Sequence, residues 1–205
     1  MIIKFLTSRI VRSNKKTMPN LVSGFTLVET MVAVLILTLT IVSLMTVVSN
    51  SLFAARYARN DITAGYLAQE VIDDIRNHRD TSVFLQTAEP NMSTAWATFT
   101  TKYALCLGPT GCFFDVLGRD RTTPPPACND TNCKKLYYDA NALTTPYYMN
   151  DDGTNAGKVD SGFQRRIVVA LNGTDEMIVT VTIYWKNGSI NKSRILTSSL
   201  LKWQS

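Results

Sequence analysis

The chain has 205 residues with a formal net charge of +5 and a pI near 9.1, and the length beyond residue 48 suffices for one compact domain and not for two. The basic excess is local: Lys4, Arg9, Arg12, Lys15 and Lys16 lie in residues 1–24, which hold no acid, and the remaining 16 Lys and Arg match 16 Asp and Glu. The high pI is therefore no sign of a nucleic-acid surface, and no direct nucleic-acid partner is expected.

After this basic leader, Phe25–Val48 is an apolar run of 24 residues whose only charged side chain is Glu29. As a helix it measures about 36 Å at ~1.5 Å per residue, enough to cross a ~30 Å hydrocarbon core with some tilt. Five cations ahead of the span orient its amino terminus to the cytoplasm and place everything after Val48 outside. A carboxylate at membrane depth costs roughly 2.5–3.5 kcal/mol on insertion scales, so Glu29 needs a reason.

The residues around the junction supply one. Ser23-Gly24-Phe25-Thr26-Leu27-Val28-Glu29 resembles the class III signal and amino-terminal segment of type IV pilins and of the pseudopilins of type II secretion. The resemblance implies cleavage after Gly24 by a membrane prepilin peptidase, N-methylation of Phe25, and a glutamate, Glu29, as fifth mature residue. In such a filament Glu29 pairs with the Phe25 ammonium of a neighbouring subunit. An ordinary secretory signal is cut after its apolar region; here the apolar stretch follows the cut and is retained. Many major pilins carry a proline near the middle of the membrane half. This chain has none, with Thr46 near that place, which argues against an extensible major subunit.

No proline occurs between Pro19 and Pro90, and Gly65 is the only glycine between Phe25 and Asp80, so one continuous helix is expected. In its outer half, residues 49–80, Leu67, Val71 and Ile75 recur with Ala64, Ala68 and Ile72 as an apolar stripe for a sheet. Trp96, Phe99 and Tyr103 behind Ser93-Thr94 suit a short helix, although the threonine-rich segment equally suits a strand. Cys106 to Gly162 is rich in turn residues and reads as loops. Three strands follow, Gln164–Leu171, Met177–Trp185 and Ser193–Trp203, with Asn172-Gly173 and Asn187-Gly188 in the connections. Val179, Val181, Ile183 and Trp185 form the apolar set of the middle strand and should face the helix. The expected fold class is α+β, a long amino-terminal helix packed on a carboxyl-terminal antiparallel sheet. That arrangement again resembles the pilin fold, most nearly minor pilins of the pilus-modification type and minor pseudopilins.

Cys106, Cys112, Cys128 and Cys133 fall on the side expected to be outside the cytoplasm, where disulfides persist. Four cysteines allow three connectivities. Local pairs are preferred, because Cys106–Cys112 and Cys128–Cys133 each enclose a turn-forming segment. A four-cysteine zinc site competes poorly, since the first pair has five intervening residues where two to four are usual. Residues 150–155 are rich in oxygen ligands but do not complete a calcium loop, so a solvated turn is favoured. His78, the only histidine, is read as a solvated or helix-end residue, and Trp96, Phe99, Trp185 and Trp203 as core. The Ser-x-x-Lys strings ending at Lys192 and Lys202 lack supporting motifs. No enzyme, metal or cofactor is expected.

The resulting organisation is a cleaved leader at 1–24, a membrane half at 25–48, an amphipathic half at 49–80 and a stapled head at 81–205. The function expected is that of a minor pilin-like subunit of a cell-surface filament, whose partners are other pilins or pseudopilins, the processing peptidase and the membrane. A minor pseudopilin of type II secretion is the nearest alternative, and an unprocessed single-pass adhesin or receptor the next.

Overall fold

A computed structural model describes residues 24–84, 91–116, 123–129, 132–139, 148–150 and 157–202. The chain divides into two compact units, Met1–Ser49 and Asn50–Ser205.

The first helix, α1 (Leu27–Phe84), is unbroken and runs four residues past Asp80. It is long and apolar enough to cross a membrane, and its side chains through Arg59 are all exposed. The hydroxyls in its apolar stretch do not need water. Thr38 donates to Leu35 O (2.9 Å), Thr40 to Leu37 O (2.7 Å), Ser43 to Thr40 O (2.8 Å) and Thr46 to Ser43 O (2.7 Å). Each of these hydroxyls is thus satisfied by its own helix, which is what an apolar surrounding requires.

In the second unit the expected stripe is buried: Ala64, Leu67, Ala68, Val71, Ile72 and Ile75 join one core with Val179, Val181, Ile183 and Trp185 of the sheet. This is an α+β arrangement, a long helix packed on an antiparallel sheet. Burying each large aliphatic side chain there contributes about 1.5–3 kcal/mol. The segment after Pro90 is helical, α2 (Met92–Lys102), with Ala95, Trp96 and Phe99 buried. Its cap is Asn91 and not Ser93 or Thr94: Asn91 Oδ1 accepts from the amides of Ser93 (3.0 Å) and Thr94 (3.2 Å). The threonines that also suit a strand fold their hydroxyls back onto helix carbonyls, as Thr98 does on Thr94 O at 2.9 Å.

The sheet has five strands, not three: β1 (Lys135–Asp139), β2 (Tyr148–Asn150), β3 (Lys158–Asn172), β4 (Glu176–Asn187) and β5 (Ile190–Leu201), in the order β2-β1-β3-β4-β5. All neighbours are antiparallel. β1 and β2 fall in the stretch read as loops, and β3 starts at Lys158 and not at Gln164, its extra residues pairing with β1. β5 starts three residues and ends two residues earlier than the expected strand, and Trp203 falls outside the described residues.

The second asparagine-glycine pair forms a turn other than type I′. Asn187 pairs with Ile190, so Gly188-Ser189 is the two-residue loop, and only Gly188 has a positive φ, 63°. Glycine at the first central position alone is the type II′ pattern.

Cys106 and Cys112, and likewise Cys128 and Cys133, stand as two local pairs at disulfide-bonding distance, all four buried. Cys112 also pairs through its backbone with β3, its amide donating to Ile167 O (2.7 Å) while Ile167 donates to Cys112 O (2.9 Å). That approach explains Gly111, where φ is 75° and a Cβ would meet Ile167 O at 2.8 Å. Non-reducing peptide mapping is expected to recover both pairs oxidised, and breaking either is expected to cost about 2–3 kcal/mol. Four free thiols, or zinc that resists dialysis, would overturn this.

Candidate functional site

Gly24, Phe25 and Thr26 precede α1 in non-helical backbone, with Phe25 76% exposed. Thr26 starts the helix: its Oγ1 accepts from the Glu29 amide (3.2 Å), and Thr26-x-x-Glu29 has the spacing of a capping box. A carboxylate in the first turn also suits the helix dipole. Glu29 is exposed, and among the described residues no cation pairs with it. Nothing lies within 4 Å of where a Cβ on Gly24 would stand, so this fold makes no demand for glycine there. Gly24, Phe25 and Glu29 are therefore brought together at one helix start, with no partner for the carboxylate among the described residues.

A second cluster of charged residues is centred on a buried arginine in the head. Arg165 faces inward from β3 and is fully buried. Its guanidinium donates to Phe114 O (2.9 Å), to Leu67 O (3.4 Å) and to Glu70 Oε2 (3.3 Å). Asp74 and Asp115 add their charge nearby, and Asp115 Oδ1 accepts from the Asn150 amide. Burial lowers the pKa of Arg165 and raises that of Glu70, each against the opposing pull of the other. The cluster ties α1, β3, the loop after the first cysteine pair and β2 to one cation. With its cation fully buried and the Glu70 side chain still 32% exposed, the cluster can hold these elements in register.

This cluster was missed by sequence reasoning although a signal exists. Phe163, Ile167 and Val169 alternate inward along β3, and Arg165 stands at the same parity. His78 was missed the same way. The sequence places it near a helix end and in solvent, but the structure buries it three residues after Ile75 on the apolar stripe. Its Nδ1 lies 3.0 Å from the Tyr103 hydroxyl and its Nε2 3.5 Å from Lys102 Nζ, with Phe99 against the ring. Trp96, Phe99 and Trp185 are core residues, and Trp96 Nε1 donates to Thr174 O at 2.7 Å. Of the oxygen-rich segment 150–155 only Asn150 is among the described residues.

One groove of about 550 Å³ opens at the end of the sheet near the β4–β5 turn, lined by Lys135, Asp160, Gln164, Tyr184, Lys186 and Lys192 with Phe163 and Trp185. Lys135 Nζ and Asp160 Oδ2 pair at 2.8 Å. Burial raises the Asp160 pKa, but hydrogen bonds from Lys135 and the Gly162 amide outweigh it and hold the carboxyl below its ordinary value.

No protein-family model matches the chain, and no curated protein or solved structure is detectably similar to it.

Proposed function

We propose that the chain is a minor pilin-like structural subunit of a type IV pilus or related filament, cut after Gly24 by a prepilin peptidase and methylated on Phe25. The observation that carries this reading is the Gly24-Phe25 junction with Glu29 in the first turn of a long apolar helix whose side chains are uncovered. A helix of that length with exposed Leu35, Ile36, Leu39, Val42 and Leu44 needs an apolar surrounding. A membrane supplies it before assembly, and the helices of other subunits after.

In this reading the amino terminus is cytoplasmic, the head is outside, and the chain's partners are other pilins. The chain is then a structural subunit to which no catalytic step is assigned. Intact-mass measurement of protein from its native membrane tests it. Residues 25–205 plus one methyl are expected, and a mass retaining Met1 would overturn it.

A further inference from the structure

One end of the head combines apolar, aromatic and basic groups that packing does not use up. The turn between β4 and β5 rests beside α1: a Cβ on Gly188 would lie 3.9 Å from the Phe53 ring. Next to the turn, Ile190 is 50% exposed, and on α1 Phe53 is 46% exposed. Tyr57 stacks beside Trp185 with ring centroids 6.3 Å apart, and Lys192 Nζ lies 5.5 Å from the Tyr57 ring. The groove opens beside this cluster.

The charge there is one-sided. Asp160 is paired with Lys135, and Asp61 with Arg194. Lys186, Lys192, Arg56 and Arg59 are left with no carboxylate partner among the described residues. Exposed aromatic and aliphatic tips ringed by cations are the composition of a membrane–water interface, where rings sit at headgroup level and cationic stems reach toward phosphates.

The position in the chain specifies the occupant. Phe53 follows Val48 by five residues, at most about 18 Å of chain at ~3.6 Å per residue whatever its path. If residues 25–48 span a bilayer, Phe53 and the turn beside it cannot lie far from the lipid headgroups. We propose that this end of the head is a docking surface for anionic phospholipid before the subunit enters a filament. Lys186 and Lys192 at the groove, with Arg56 and Arg59, bind headgroup phosphates, and Phe53 and Ile190 enter the interface. This rests on the membrane-spanning reading of residues 25–48, and adds to it a lipid preference that a span alone does not impose.

The test uses the full chain in nanodiscs of phosphatidylcholine alone or of phosphatidylcholine with phosphatidylglycerol, read by hydrogen exchange. A basic residue at an anionic surface adds about fivefold to binding before screening, so several together are expected to slow exchange at Gly188, Ser189 and Ile190 by about tenfold or more. High salt should reverse the effect, and Lys186→Gln with Lys192→Gln should remove most of it. Amides of Ile167 and Val169 report whether that variant stays folded, and the salt and lipid dependence of the unaltered chain decides the matter if it does not. Equal exchange in the two lipid compositions, with the chain still resistant to alkaline extraction, overturns the docking surface alone. Extraction by alkali overturns the membrane reading and the docking surface together. Equal protection by inorganic polyphosphate added to phosphatidylcholine discs assigns the cations to a soluble polyanion and also overturns it.

Discussion

Glu29→Val is expected to yield a chain that is cut at Gly24, inserted in the membrane and absent from filaments. Removing the only charge of Phe25–Val48 relieves a penalty of roughly 2.5–3.5 kcal/mol, so insertion should be unimpaired or improved. The helix start should also survive, because Thr26 Oγ1 accepts from the backbone amide of residue 29 and not from its side chain. What is lost, on the proposed function, is the partner of a neighbour's Phe25 ammonium in an apolar filament core. Leaving one member of a buried ion pair uncompensated typically costs about 3–5 kcal/mol, or roughly a hundred- to several-thousand-fold in affinity. Glu29→Gln, nearly isosteric, should behave like valine. Gly24→Ala is the control at the other step: the fold leaves space for the methyl, so slower processing would report the peptidase's own requirement. Recovery of cleaved Glu29→Val protein from sheared filaments at the unaltered level would make the carboxylate a passenger.

The long helix was legible because its signals are local: no proline for 70 residues between Pro19 and Pro90, one glycine between Phe25 and Asp80, and an apolar stripe of helical period. β4 was legible for the same reason, since its alternation needs no knowledge of its neighbours. β1 and β2 were not. Lys-Leu-Tyr-Tyr-Asp and Tyr-Met-Asn are short, and they exist by pairing with each other and with the Lys158–Asp160 part of β3. That part of β3 has no apolar alternation of its own, so its strand character comes from distant partners. The cleavage and assembly residues were legible as a motif, whereas the Arg165 cluster draws Glu70, Asp74, Asp115 and Arg165 from segments up to 95 residues apart. A charge at an inward parity was visible in β3. Its counter-charges were not, because carboxylates on the buried edge of α1 look in sequence like its solvated ones.

That cluster carries the second large effect. Arg165→Met preserves much of the stem volume but removes the cation, leaving the carbonyls of Leu67 and Phe114 without this donor and Glu70, Asp74 and Asp115 without their shared counter-charge. The expected loss is about 3–5 kcal/mol in denaturant unfolding of the oxidised protein in detergent. Glu70→Leu in the same chain should recover part of it by removing one stranded carboxylate, but not all, since Asp74 and Asp115 remain. The loss should also depend on pH with a definite sign. Burial already raises the Glu70 pKa above its ordinary 4.5 in the presence of Arg165, and losing that cation raises it further. A carboxyl with a raised folded pKa binds more protons folded than unfolded, so its stabilising contribution is complete below the ordinary value and is lost as pH rises through the folded one. The cost of Arg165→Met is therefore expected to be largest near neutral pH and to shrink as pH falls toward 4.5. A loss below about 1 kcal/mol, the size of one ordinary hydrogen bond, or a loss that ignores pH over that window, would mean that Arg165 serves as packing and not as the charge that joins helix, sheet and loop.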